Sequence, residues 1–201
     1  MRVEEVVVDH GRALGFSWPG RGERGVNGVG PETAGVKDVV IRRACATDAA
    51  DLARIQVDSW RETYRGMLPD HYLRALSYAD HERLWRRTLA APSATFVAVL
   101  DGRPVGLASG GRCRSFRGFS GELHLLYVLR AAQGRGIGRA LFDAVHYALA
   151  VAGWPDMLVW VLAANRRARG FYEHLGLEPV GRATALVGGA RVEEIAYGWR
   201  D

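Results

Sequence analysis

Lysine is almost missing from this chain of 201 residues: of its 27 basic side chains, only Lys37 is not an arginine. Such a skew reads as a trace of genomic base composition rather than of a selected surface. The arginines are scattered, apart from pairs such as Arg42–Arg43, Arg86–Arg87 and Arg166–Arg167. A net charge of +5 would suit an anionic partner, but scattered arginines without interleaved aromatics argue against a nucleic-acid platform. Cysteine is scarce too. Cys45 and Cys113 are too few for a disulfide framework, and neither belongs to a CxxC or Cys/His cluster. No apolar run approaches the roughly 20 residues of a membrane span. Val6, Val7 and Val8 stand between acidic residues without the long apolar stretch of a signal peptide. A reducing, cytoplasmic setting without membrane contact is therefore expected.

What is present is an ordinary globular composition, 48% hydrophobic and 24% charged, in a chain long enough to bury a core without metal or disulfide staples. Residues 11–35 stand apart. Eight glycines with Pro19 and Pro31 leave too little apolar surface to offset the entropy of ordering, so residues 1–36 read as a glycine-rich flexible extension and 37–201 as the folded domain. Phe16 and Trp18 are the extension's candidates for docking elsewhere.

From Val39 the patterns sharpen. Residues 39–41 read as a strand, and Thr47 as the N-cap of a helix through Leu52, Ile55 and Trp60. Gly66 and Pro69 end that helix, and a second helical region covers 72–89. Strands follow at 96–100 and 104–110, joined by the hairpin turn Asp101-Gly102. After a loop over 114–121 comes a hydrophobic strand at 122–129. Leu141, Val145, Leu149 and Ala152 mark a helical stripe closed by Gly153 and Pro155. A strand at 157–162, a helix at 166–175 stopped by Gly176, and two closing strands complete the order. Two strands followed by alternating helices and strands around one sheet predict a three-layer α/β (α+β) domain.

The most informative stretch is Gln133-Gly134-Arg135-Gly136-Ile137-Gly138-Arg139, where a buried strand runs through alternating glycines into a helix. Glycine lets main chain approach a ligand closely, and a helix start offers unpaired N–H groups and a positive dipole end. Together they suit phosphate or pyrophosphate, with Arg135 and Arg139 able to add charge-assisted contacts. A P-loop is excluded because GxxxxGK[ST] is absent. The dinucleotide fingerprint fails because Arg139 or Leu141 falls where glycine or alanine is required.

Gln133-Gly134-Arg135-Gly136-Ile137-Gly138 resembles the Q/R-x-x-G-x-G/A signature of the GCN5-related N-acetyltransferase (GNAT) superfamily. Asn165-Arg166-Arg167-Ala168-Arg169-Gly170-Phe171-Tyr172-Glu173-His174-Leu175-Gly176-Leu177 resembles that family's second signature, N-x-x-A-x-x-F-Y-x-x-x-G-F, with Leu177 in place of phenylalanine. The resemblance implies a central mixed, mostly antiparallel sheet flanked by helices. It implies an acetyl-CoA-dependent N-acetyltransferase acting by direct transfer in a ternary complex, with no metal. By the same resemblance, residues 133–139 would hold the pyrophosphate, and Tyr127 and Val128 would pair their main chain with the pantetheine arm. The Val128 N–H would polarise the acetyl carbonyl. Asn165, Ala168, Phe171 and Tyr172 would flank the thiol end, while Asn165 also fits a helix N-cap independently of any family.

Attack on a thioester requires a neutral amine and a stabilised leaving thiolate. Tyr172 is the expected acid, since a phenol can donate to sulfur. For the base, the resemblance points to Glu122; His124 shares its strand face by period-two alternation and has the more suitable ordinary pKa. On the acceptor side, Trp60 and Tyr64 lie one helical turn apart. They read either as core or as the walls of an acceptor pocket, with Asp58 or Glu62 attracting a cationic amine. The expected acceptor is a small-molecule amine; protein acetylation on a lysine or an N-terminus, and a non-catalytic acyl-CoA-binding module, stay open. Cys113 has no activating partner visible in the sequence. Dimers are frequent among similar proteins, so a homodimer is within expectation.

Overall fold

The computed structural model describes Val7–Val8, residues 39–91 and residues 93–200. Apart from Val7–Val8, the expected extension and its Phe16 and Trp18 lie outside the described residues. Eight strands form one sheet: β1 (Val7–Val8), β2 (Val39–Arg43), β3 (Ala94–Leu100), β4 (Arg103–Arg112), β5 (Gly121–Val128), β6 (Met157–Leu162), β7 (Glu178–Val187) and β8 (Ala190–Trp199). Their spatial order is β1-β7-β8-β6-β5-β4-β3-β2. All neighbours are antiparallel except β1–β7 and β5–β6. The sheet is thus mixed and mostly antiparallel, as the family resemblance implies. Asp101 and Gly102, both at positive φ, make the tight turn between β3 and β4.

Helices cover both faces. On one, α1 (Ala49–Thr63) and α3 (Tyr78–Leu89) bury Leu52, Ile55 and Trp85 against Val97, Leu107 and Leu125. Trp85 Nε1–H donates to Gln56 Oε1 at 2.9 Å, a buried polar pair between the two helices. On the other face α4 (Ile137–Val151) lays Leu141, Phe142, Val145 and Leu149 against Ala98, Ala108, Leu123, Met157 and Val159. The helical stripe read from residues 141–149 is therefore the contact surface itself. The short α5 (Arg166–His174) joins this layer through Phe171 and Tyr172.

Two local readings need correction. The N-terminal signal for α1 is not Thr47, which lies in a 3-10 turn (Ala46–Asp48). Asp48 organises the entry instead: its carboxylate accepts from Cys45 N–H at 2.8 Å and from both terminal nitrogens of Arg42 at 2.8 Å. The Arg42 hydrogen bonds hold the Asp48 carboxyl down at about 2. The helical region over 72–89 is two helices, α2 (Asp70–Ala75) and α3, separated at Leu76 and Ser77. Leu76 is extended yet buried beside Trp60 and Leu73, so apolar spacing continues across a break in the backbone. Ser77 then caps α3 by accepting from Asp80 N–H.

Candidate active site

The opening begins where β5 and β6 separate. These parallel strands pair only at Gly121–Met157 and Glu122–Leu158. Farther along, β5 keeps β4 on one side only, through Leu107–Tyr127 and Gly106–Val128. The Leu129 N–H donates to Val105 O at 2.9 Å, which sets the phase of the antiparallel ladder. Tyr127 and Leu125 turn their main-chain groups toward β4, while Leu126 and Val128 turn theirs toward the gap. Of the two residues expected to offer main chain to a ligand, Val128 faces the gap; Tyr127 faces β4, and Leu126 faces the gap instead. An unpaired strand edge this deep inside a fold is a template for one more extended chain.

At the mouth of the gap the glycine turn feeds α4. Gly134 and Gly136 sit at φ +78° and +75°, a region that side chains with a Cβ rarely occupy. Gly136 is the residue before the helix, so the first N–H groups of α4 point outward without intrahelical partners. A Cβ on Gly138 would lie 3.3 Å from the Phe171 ring, so the two signature segments pack directly on one another. Gln133 turns inward and donates from Nε2 to Val128 O at 2.7 Å, bracing the end of β5. Arg135 is exposed, and Arg139 is engaged by Asp143 one turn along at 3.0 Å. Asn165 is buried, and its Oδ1 accepts from Ala168 N–H at 3.1 Å, making it the N-cap of α5.

Behind the gap lies a cluster of aromatic side chains. Trp60 Nε1–H donates to the Tyr127 hydroxyl at 2.8 Å, and Trp60 meets Tyr64 edge-to-face with centroids 5.1 Å apart. Burial pushes the Tyr64 phenol up to about 12 and raises Tyr127 further. Tyr172, only 6% exposed, is likewise raised by burial and then by the nearby Tyr64. These phenols stay protonated at any ordinary pH and serve as donors. Of the two readings of Trp60 and Tyr64, core packing is what the structure displays: they pack with Leu68, Leu73, Leu162 and Val187.

Glu122 and His124 form a second group at the closed end. Ser115 Oγ donates to Glu122 Oε2 at 2.8 Å, and Trp160 Nε1–H donates to Ser115 Oγ at 2.9 Å. His124 is the extra residue of a β-bulge, since Ser109 faces Leu125 while Gly110 faces Leu123. Burial lowers its pKa, opposed by the charge of Glu122, leaving a neutral imidazole beside a carboxylate. Cys113 is raised by burial and by Glu122, the reverse of what an activated thiol needs.

The structure does not bring Asp58 and Glu62 into the aromatic cluster. They lie on another side of α1, in an open depression of about 300 Å³ with Arg61, Leu129, Arg130 and Ala131. Asp58 there accepts from the Tyr78 hydroxyl at 2.6 Å. Sequence reasoning passed over Ser115, Trp160, Leu126 and Glu194. Glu194 is 1% exposed on β8, directly across from Leu162. Period-two alternation with the inward-facing Val192 and Ala196 was the available signal. Among the described residues no group of His, Cys, Asp and Glu could hold a metal ion, and no helix is long and apolar enough to cross a membrane.

A mostly antiparallel sheet that parts in front of a glycine-led helix places the molecule among the acetyltransferase folds. A GCN5-related N-acetyltransferase from Rhodopseudomonas palustris superposes with a TM-score of 0.66 at 25% identity, covering 83% of this chain and 98% of that one. YncA from Salmonella typhimurium, a putative acetyltransferase solved with acetyl-CoA, superposes at 0.63 and 20% identity, over 81% and 93% of the two chains. The chain belongs to the acetyltransferase (GNAT) family, whose model matches residues 55–177. The uncharacterized N-acetyltransferase YuaI of Bacillus subtilis is 37% identical over 166 residues, 81% of this chain and 94% of that protein. The protein is accordingly an acetyltransferase.

Proposed function

We propose that this enzyme moves the acetyl group of acetyl-CoA to the amine of a small molecule by direct attack in a ternary complex. The observation that carries this reading is the unpaired edge of β5, with Leu126 and Val128 facing the gap, running to the free N–H groups that begin α4. That geometry fits a long extended molecule with a diphosphate at one end. The glycine turn from Gln133 to Arg139 holds the diphosphate, Arg135 adding charge from the surface and Arg139 reaching it once released from Asp143.

Acetyl-CoA supplies the activated thioester. Val128 N–H, nearer the turn, meets the pantetheine arm. Leu126 N–H lies roughly 7 Å deeper at the usual strand rise and polarises the acyl carbonyl. Tyr172, kept protonated by burial, donates to the departing sulfur, and Asn165 fixes the start of its helix. Glu122, oriented by Ser115 and Trp160, accepts the proton of the amine, with neutral His124 beside it as relay. Trp60, Tyr64 and the Tyr127 side chain wall the acceptor end. This packed aromatic end suits a small amine better than a polypeptide.

The test is thiol release from acetyl-CoA with a panel of small amines and with lysine-bearing peptides. Turnover with small amines supports the reading. Turnover only on peptides redirects it to protein acetylation, and acetyl-CoA binding without turnover on any amine redirects it to a binding module.

A further inference from the structure

Tyr172 can donate to a departing sulfur only where α5 holds it, and α5 is a helix of nine residues. Ala168, Phe171 and Leu175 pack it on the core, but apolar contact is non-directional and leaves the roll of so short a helix loosely set. Hydrogen bonds are directional. At the C-terminal end of α5, Leu177 N–H donates to Tyr172 O at 3.0 Å. Arg169 and Glu173, one helical turn apart beside Tyr172, both meet the hydroxyl of Tyr197. Arg169 Nε–H donates to it at 3.1 Å, and it donates to Glu173 Oε1 at 2.6 Å. Arg169 Nη1 also donates to Ala163 O at 3.3 Å, just past the end of β6, the strand across the gap from β5. Tyr197 itself is 1% exposed on β8, between Val159 on β6 and Pro179 on β7. The anchor is therefore part of the sheet, and its hydrogen bonds to charged partners are of the strong kind. In the second signature, N-x-x-A-x-x-F-Y-x-x-x-G-F, positions 169 and 173 are unspecified. The tie is a feature of this chain and not of the motif.

The direction of the phenol shows what the tie controls. Tyr172 packs on Phe142 of α4, with ring centroids 6.5 Å apart, from the face of the sheet that α4 and α5 cover. Tyr64 and Tyr127 belong to the face that α1 covers. After burial, Tyr64 raises the Tyr172 phenol; after burial and Tyr64, Tyr172 raises the Tyr127 phenol. The hydroxyls thus approach one another through the opening between β5 and β6. We propose that Tyr197, Arg169 and Glu173 are positioning residues for the reaction: the Tyr197 hydroxyl fixes the roll of α5 on the sheet, so that Tyr172 presents its phenol to the departing sulfur. This inference rests on the proposed donor role of Tyr172 and deepens it. A donor misplaced by about 1 Å can cost on the order of 100-fold in rate, so a slackened roll is read in kcat.

The experiment is a double-mutant cycle in thiol release from acetyl-CoA, with the best small amine of the panel as acceptor and acetyl-CoA affinity measured separately by calorimetry. Tyr197→Phe removes one hydroxyl and should lower kcat about tenfold, on the scale of a partly misplaced donor, with acetyl-CoA affinity and KM for the amine unchanged. In a Tyr172→Phe background the same change should leave kcat as it is, because the group it positions is gone. Glu173→Ala, at an exposed position, should repeat both results and stands in if Tyr197→Phe fails to fold. Glu173→Gln, which keeps an accepting oxygen, should regain most of the rate. A native kcat in folded Tyr197→Phe, equal losses in both backgrounds, or a loss that Glu173→Gln does not regain would each overturn the assignment. No turnover with any amine, or a fully active Tyr172→Phe enzyme, would instead overturn the parent reading.

Discussion

The two sides of the gap are built differently. The side that ends on α4 is made by neighbours in sequence: a strand, a turn with two glycines at positive φ and a helix, within residues 121–151. The aromatic side is made by residues far apart in the chain, with Trp60 from α1, Tyr127 from β5, Leu162 from β6 and Glu194 from β8. Local construction ties the first side to the conformational preferences of adjacent residues, whereas dispersed construction leaves the second to pairing between distant segments.

Perturbing the contiguous side should have the largest effect. Gly138→Val puts a branched side chain where a Cβ alone already meets the Phe171 ring at 3.3 Å, at the start of α4. Acetyl-CoA affinity by calorimetry should fall more than 100-fold, about 3 kcal/mol, in a protein whose circular dichroism is native. Unchanged affinity would place the diphosphate elsewhere. Next, Tyr172→Phe removes only a hydroxyl and should lower kcat about 100-fold, the usual scale for a proton donor, without altering KM for acetyl-CoA. A normal kcat would return Tyr172 to the role of a core aromatic.

A smaller effect isolates the helical layer behind the acceptor end. Gln56→Leu leaves the buried Trp85 N–H without its acceptor and should cost about 1–3 kcal/mol, read as a lower denaturation midpoint, with acetyl-CoA affinity intact. A parallel loss of affinity would mean that the two sides are mechanically coupled. Smallest is the entry to α1. The folded Asp48 carboxyl is depressed from 3.8 to about 2, so its stabilisation is complete above the unfolded value and disappears as pH falls through about 2. Arg42 is 42% exposed on its side chain, and water screening limits the contribution to about 1 kcal/mol. Asp48→Asn should flatten the acid limb of the stability profile between pH 4 and pH 2 by that amount, measured by urea unfolding.

Legibility from sequence follows the same division. The hairpin at Asp101-Gly102, the strand at Met157–Leu162 and the stripe of α4 were readable because turn chemistry and apolar spacing act over a few residues. The break at Leu76 was not, because a buried leucine serves equally well in a helix or in an extended link. The bulge at His124 was hidden for a related reason: alternation on either side looks regular, and only the partner strand reveals the added residue. Asp58 and Glu62 neighbour Trp60 in sequence, yet helical geometry turns them to another side of α1, into the depression with Arg61 and Arg130, while the acid opposite Leu162 comes from β8.

The amino-acid sequence alone determined the glycine turn and the helix behind it, because each depends on the conformational preferences of adjacent residues. Only the tertiary structure decided where β5 loses its neighbour, which main-chain groups thereby face the gap, and which acid lies among the aromatics. Those outcomes depend on pairing and burial between segments distant along the chain, and no local propensity encodes such distances.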